Sequence, residues 1–314
     1  KARNFSDFRI RAMTKPRLHS LPPTWGLPTF HPDFLKVHAY LKLSGTPFEN
    51  VPTTTASAMS SFEQPVMEAD EKVLTGSDEI TQHLRAAGHD LDAQLSQQQR
   101  ADLFAFSSMI ERQLLDAMLY DWYLVEDNYF QIVRPLYVAA ASFPANLVLP
   151  WQVSRRVKAR LGYPSTVEGE ALYKQAEACY SALSARLGTN PYFFGQTPSS
   201  LDAVAFGHLA IHLFAPMPRP NRLETALRKH PNLCDFVDRI SSRHMGVSIG
   251  IFPATAATPD APEKTSVPDK PHRTPKEKAR RRRARDFMAG AAVLTIGFLL
   301  VTNVIDLDDA DVDE

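Results

Sequence analysis

The run Phe287–Ile305, FMAGAAVLTIGFLLVTNVI, constrains this chain more than any other feature: it holds 19 consecutive residues without a charge. At about 1.5 Å per residue it would be roughly 28 Å long as a helix, close to the ~30 Å hydrocarbon core of a bilayer. A helix satisfies its own backbone hydrogen bonds, so it can cross lipid without leaving bare polar groups. The run, with Ile296 at its middle, is therefore expected to be a single transmembrane helix. Only nine residues follow, 306–314, and six of them are acidic. A span so near the end must insert after translation. It is expected to act as a tail anchor, with the bulk of the chain in the cytosol and the C-terminus across the membrane.

The flanks support this orientation. Arg280, Arg281, Arg282, Arg283 and Arg285 lie just before the run. Basic residues tend to stay on the cytosolic side and bind anionic headgroups. The alternatives are a buried core helix for the run and a nuclear-import or nucleic-acid patch for the arginines. The length without a polar face, and the contact of the basic collar with the apolar run, favour the membrane.

The formal net charge of zero hides an asymmetry, because no Lys or Arg follows Arg285. Residues 254–286 hold 10 basic and 5 acidic groups, which leaves residues 1–253 near +1. By charge, the folded part is not a nucleic-acid binder. Two cysteines, Cys179 and Cys234, cannot build a disulfide framework and fit a reducing compartment. They are expected to be buried small apolar residues. There is no CxxC, HExxH or GxGxxG, and the ten histidines lack metal-ligand spacing. His208 and His212 sit one turn apart but have no third ligand, which favours packing over metal. No metal or cofactor is expected.

Residues 1–16 form a basic N-terminal extension whose composition resembles a transit peptide, although a loose basic end is the simpler reading. Residues 253–279 are rich in proline and charge and poor in large apolar side chains. Such a stretch cannot bury enough surface to offset its ordering entropy. It reads as a disordered tether of about 30 residues, holding the body roughly 30 Å from the bilayer.

Between these ends, residues 17–92 alternate strands and helices. Arg17–Leu21 suits a strand, Pro32–Ser44 a helix ended by Gly45, and Phe48–Thr53 a second strand. Gln64–Met67 and Lys72–Leu74 suit a hairpin, and Ser77 is expected to N-cap a helix through Ala87. Residues 95–250 read as all-helical. One apolar stripe runs Leu103, Phe106, Ile110, Leu114, Met118, Trp122, and a second lies on Glu168–Leu187. Ser199–Phe214 is apolar nearly all round, as a central bundle helix would be, and Pro231–Arg243 is a last helix. Pro144, Pro150, Gly162 and Pro164 make Phe143–Pro164 read as irregular.

This β-α-β-β-β-α half followed by a helical half resembles the glutathione-transferase architecture, an α+β fold with a thioredoxin-like N-terminal domain. Four blocks narrow the likeness: Leu21–Glu49, Glu126–Phe130 with Arg134-Pro135, Arg186–Ala210, and Asn232–Phe236. They resemble the metaxins over about residues 18–245. The resemblance implies a glutathione-transferase-like subunit of the mitochondrial outer-membrane sorting and assembly machinery. The partners it implies are the β-barrel insertion channel, β-barrel precursors and a second metaxin-like subunit.

A working transferase needs a Ser, Tyr or Cys near the start of the first helix to stabilise the glutathione thiolate. Ser20 or Thr24 could be forced into that role, but Pro22, Pro23 and Pro28 remove backbone donors from the loop. Pro65 matches the proline whose preceding backbone pairs with the glutathione cysteine, which speaks for fold rather than catalysis. Where transferases carry Glu-Ser to grip the γ-glutamyl end, this chain has Gly76-Ser77. Ser199 and Asp202 form an S-x-x-D capping box, a structural motif. Trp151, Arg155 and Arg156, followed by Lys158 and Arg160, are either a solvated face or a contact surface for anionic lipid or a partner. The expected function is a non-enzymatic membrane-anchored scaffold. Its rivals are a membrane-anchored glutathione transferase or peroxidase and an organelle tether of a plastid envelope.

Overall fold

The structure, a computed structural model, describes residues 15–52, 64–69, 72–141, 143, 145–162, 164, 166–218 and 220–246. The expected tether (253–279), apolar span (Phe287–Ile305) with its Arg281–Arg283 collar, and acidic tail (306–314) lie outside these residues. So do residues 1–14 and Thr53. Among the described residues no helix is long and apolar enough to cross a membrane.

Four short strands make one sheet in the order β2-β1-β3-β4. They are β1 (Arg17–Ser20), β2 (Glu49–Pro52), β3 (Val66–Ala69) and β4 (Lys72–Thr75). β1 and β2 are parallel, with Leu18 opposite Asn50, and such a pair needs a crossover. Helix α1 (Pro32–Leu43) supplies it. β1 and β3, and β3 and β4, are antiparallel. The register puts Leu18, Met67 and Leu74 in one buried row across the sheet. α2 (Ser77–Ala86) closes this half, burying Ile80 and Leu84 one turn apart.

The helical half contains α3 (Gln97–Met109), α4 (Leu115–Tyr123), the one-turn α5 (Glu126–Asn128), α6 (Arg134–Ala140), α7 (Ala145–Arg160), α8 (Thr166–Leu187), α9 (Ser200–Phe214), α10 (Arg222–Leu227) and α11 (Pro231–Ile240). π-helical turns at Ile110–Leu114, Tyr129–Val133 and Ser241–Met245 join or extend these helices. The first stripe survives its π turn: Ile110, Leu114, Met118 and Trp122 are buried, while Leu103 and Phe106 are partly covered.

α9 is the axis of the molecule and is buried at every position from Ser200 to Leu213. α1 packs against it and is itself buried on nearly all sides, between sheet and bundle. Gly207 permits this approach. A Cβ there would sit 2.9 Å from the Pro32 carbonyl oxygen and 3.1 Å from the Lys36 backbone nitrogen. Those are backbone atoms and cannot swing aside. We expect Gly207→Val to lower the unfolding free energy by roughly 2–3 kcal/mol in a urea titration, despite valine's better helix propensity. An unchanged midpoint would mean the two helices can separate freely.

Three sequence expectations need correction. Ser77 is not a cap: the cap position is Gly76, at φ 89°, and no side chain caps the helix there. Instead the Glu79 carboxylate reaches back and accepts from the Thr75 N–H at 2.9 Å. Residues Ala145–Arg160 are a regular 16-residue helix and not an irregular segment, although Pro150 lies inside it. The proline withdraws one donor, and its own carbonyl accepts from the Tyr129 hydroxyl at 3.0 Å. Cys234 is only half-buried, whereas Cys179 is fully buried and its thiol is pushed up to about 12 by that burial.

Candidate functional site

The place where a thiol-activating residue would stand is the connection Leu21–His31 between β1 and α1. Both hydroxyls that could act there already donate a hydrogen bond within the protein. Ser20 donates to Asn50 Oδ1 at 2.6 Å, and Thr24 donates to the Pro22 carbonyl at 3.1 Å. A thiolate needs a donor, and neither hydroxyl can offer one without breaking its own bond.

The loop is itself a folded object. Thr24 and Leu27 exchange backbone hydrogen bonds at 3.0 and 2.9 Å around Trp25-Gly26. Their φ values of 56° and 77° are the left-handed pair of a type I′ turn. Trp25 is the only non-glycine with positive φ among the described residues, an arrangement disfavoured for a bulky side chain. It is held by packing: the Trp25 ring meets the edge of Trp122 on α4, centroids 5.7 Å apart. Phe30, farther along the loop, meets Tyr137 on α6 at 5.5 Å. The loop thus fills the space between sheet and bundle with its own aromatics. An open cleft of about 400 Å³ remains on its outer side, lined by Pro23–Pro28 with His38, Lys42 and Met245.

At the γ-glutamyl position the chemistry is also altered. Pro65 is buried, and its carbonyl accepts from the Gly76 N–H at 2.8 Å, tying β3 to the start of α2. Asp78, in the first turn of α2, lies 3.4 Å from the Lys36 ammonium. Lys36 is 8 % exposed and donates to Glu111 Oε1 at 2.5 Å. Burial disfavours its charge, but Glu111 chiefly, with Asp33 and Asp78, more than offsets this and raises its pKa. Lys36 is therefore spent on a bond between the two halves of the fold.

Asp202 behaves as the capping residue the sequence suggested. Its carboxylate accepts from the Ser199 N–H at 2.8 Å, the Phe193 N–H at 2.9 Å and the Ser199 hydroxyl at 2.6 Å. Its role is to hold the Phe193 loop onto α9. His212 Nδ1 is paired with the Tyr180 hydroxyl at 2.6 Å, deep in the bundle. His208, one turn earlier, is equally buried, and burial depresses its pKa well below the usual histidine range.

A second node was not evident in the sequence. Asp92, in the connection between α2 and α3, is 2 % exposed. It accepts from the Ser200 N–H at 2.8 Å, the Ser200 hydroxyl at 2.7 Å and Arg85 at 2.5 Å. Arg100 closes over the same turn, donating to the Asp92 carbonyl at 2.8 Å. The connection is therefore pinned to the first turn of α9.

The last candidates stand on α7. Trp151 is half exposed, Arg155 and Arg156 are exposed, and the Arg155 guanidinium lies 5.6 Å from the Trp151 ring centre. They line the outer face of a helix whose inner face buries Val148, Leu149, Val153 and Val157.

Residues 35–154 match the Tom37 family, described as an outer mitochondrial membrane transport complex protein, and residues 176–240 match the C-terminal domain of glutathione S-transferases. Metaxin-1 of Mus musculus is 33% identical over 292 residues, covering 90% of this chain and 89% of that protein. Metaxin-3 of Xenopus laevis is 34% identical, covering 70% of this chain and 74% of that protein. The chain belongs to the metaxin family. The fold is shared more widely. Glutathione transferase GSTFuA3 from Phanerochaete chrysosporium superposes with a TM-score of 0.53 over 74% of this chain and 98% of its own, at 11% identity. Transferase CsGST63524 of Ceriporiopsis subvermispora, solved with glutathione, gives 0.52 over 73% of this chain and 97% of its own, at 12% identity. At that identity the likeness is one of fold alone. The Tom37 match spans the α1 face that carries Lys36, the π turn that carries Glu111, and α7 up to Ser154.

Two features of this metaxin-family chain, the Lys36–Glu111 and Asp92–Ser200 contacts, escaped sequence reasoning because the partners are 75 and 108 residues apart. A faint signal existed for one: Lys36 sits among apolar residues on a helix with no polar face to receive it.

Proposed function

We propose that this chain is a non-enzymatic, tail-anchored subunit of the mitochondrial outer-membrane sorting and assembly complex. Its bulk faces the cytosol, and it assists the insertion of β-barrel proteins. The observation that carries the non-enzymatic part is the first loop, whose two candidate hydroxyls are spent on Asn50 and Pro22 and whose aromatics fill the interdomain space. The family description, a transport complex of the outer mitochondrial membrane, supports the location. The apolar run Phe287–Ile305 and its Arg281–Arg283 collar support the anchor. Confining the body to two dimensions beside an insertion channel raises its effective concentration there, which is how a scaffold without chemistry can matter. Its proposed partners are that channel, a second metaxin-like subunit and barrel precursors, with Trp151, Arg155 and Arg156 on a candidate partner surface.

The test is purification of the tagged full-length chain from mitochondria in mild detergent, with mass spectrometry of what accompanies it. Co-purification of the β-barrel insertion channel, lost on deletion of Phe287–Ile305, is the expected result. A chain that comes through alone, elutes from immobilised glutathione, and conjugates a simple electrophile until Ser20 or Thr24 is changed to Ala would replace this reading with a membrane-anchored transferase.

A further inference from the structure

From Asn128 to Val167 the chain runs 40 residues without an Asp or Glu, and carries five cations: Arg134, Arg155, Arg156, Lys158 and Arg160. This stretch folds as the α6–α7 hairpin with its leading π turn. It also carries six of the eight large hydrophobics exposed among the described residues: Phe130, Val138, Phe143, Leu147, Trp151 and, at the start of α8, Val167. Leu147, Trp151 and Arg155 follow one another at four-residue spacing, so they form one outward stripe on α7, 59% and 50% exposed at the two apolar positions. The Tyr129 hydroxyl bonds the Pro150 carbonyl, which brings the Phe130 turn to the Trp151 part of α7. Arg160 is tied to Asp116 of α4 at 3.3 Å, so the basic end of the helix is seated on the body.

Scattered exposed apolar residues need no explanation, but a run of them on one hairpin does. A hairpin that is apolar, aromatic and cationic with no acid of its own, apart from Asp116 of α4 against Arg160, matches the membrane–water interface. There Trp and Phe settle at headgroup level and Lys and Arg meet lipid phosphates. Binding by such a face needs both terms, since neither a few apolar side chains nor a few cations suffice alone.

We propose that the α6–α7 hairpin rests on an anionic bilayer surface, with Phe143, Leu147 and Trp151 among the headgroups and Arg155, Arg156 and Lys158 against lipid phosphates. The hairpin would thus be a second, reversible contact that orients the body on the membrane. The inference rests on the tail-anchor reading for the body's nearness to lipid, and the test separates the two. The body ends its described part at Gly246, and 40 residues separate it from Phe287. Those 40 residues must let the hairpin reach the surface, and flotation together with Trp151 quenching tests this.

The full chain is reconstituted with vesicles of phosphatidylcholine alone or with about 30 % phosphatidylserine, each with and without acyl-brominated phosphatidylcholine. Flotation reads the anchor. The emission of Trp151, taken as wild type minus Trp151→Phe, reads the hairpin. We expect flotation with both vesicles, and quenching of Trp151 by brominated lipid at least about threefold stronger with phosphatidylserine, falling as salt is raised. Arg155→Glu with Lys158→Glu, and separately Leu147→Glu, should abolish the difference while leaving flotation and the urea midpoint unchanged. A chain that floats while Trp151 stays unquenched in both vesicles overturns the proposal and leaves the face to a protein partner. Flotation with the phosphatidylserine vesicles alone keeps the hairpin and removes the anchor. Flotation with neither removes both.

Discussion

Asp92→Ala lowers the stability of the body by roughly 3–4 kcal/mol, which for a domain of this size is a fall of about 8–12 °C in Tm. The substitution removes one acceptor but strands several donors. The Ser200 N–H and hydroxyl lose their partner inside the protein, and Arg85 loses its 2.5 Å contact. Leaving a buried donor unpaired costs more than the bond itself contributed. Asp92→Asn keeps an oxygen for the Ser200 N–H but loses the charge that Arg85 answers, so it should recover about half of the loss. The measurement is a thermal or urea unfolding series of wild type and both variants in the same mild detergent. Equal stability of all three would mean that the connection between α2 and α3 is a passive linker. A loss confined to the sheet half, read by separate probes, would mean the two halves unfold independently.

Acid provides the second large effect. His38, His208 and His212 are buried, and all three are held below the ordinary histidine range. Burial, with Lys42 nearby, brings His38 to about 4, and burial brings His212 to about 3. In the unfolded chain each takes up a proton near pH 6.5. Below that value the unfolded state binds more protons than the folded one, so stability falls as pH drops, by about 1.4 kcal/mol per pH unit for each histidine. Asp202 works the other way. Burial raises its carboxyl to about 6, so between that pH and its unfolded value near 4 it favours the folded state as protons are added. The net expectation is a loss of roughly 4 kcal/mol between pH 7 and pH 5, steepening through pH 6 and levelling at about two protons' worth of slope below about pH 5.5, where Asp202 offsets one of the three histidines. Urea midpoints across that range measure it, and His212→Gln should make the slope shallower by about one proton. A stability that is flat or rising toward pH 5 would show that these histidines are solvated in the native state.

The contrast between α9 and α7 shows what a single sequence can disclose. Ser199–Phe214 is apolar nearly all round, which only surrounding protein or lipid can tolerate, and its 16 residues are short for a bilayer, so its central place could be read directly. Residues 145–160 were misread because Pro150 is a breaker in isolation. A proline costs a helix one hydrogen bond and a steric adjustment, which the packing of Val148, Leu149, Val153 and Val157 against the bundle offsets. Ser77 misled for a related reason: serine is a good cap, but the preceding glycine takes up the unusual backbone angle and Glu79 satisfies the free N–H. The crowding of Thr24 by prolines was visible in the sequence. That Ser20 is disarmed by Asn50 was not, because the bond crosses between the parallel strands β1 and β2 and depends on their register.

The end of the described body bears on the cleft beside the first loop. The described body closes with the π turn Ser241–Met245 and Gly246. That turn is fastened by few polar links, among them Ser242 to the Arg239 carbonyl and His244 with Tyr192, both at 3.3 Å. Met245 forms one wall of the cleft beside Trp25. The last described turn and the loop that carries Trp25 therefore share a wall, so a substitution that displaces Met245 alters the cleft and the terminal turn together.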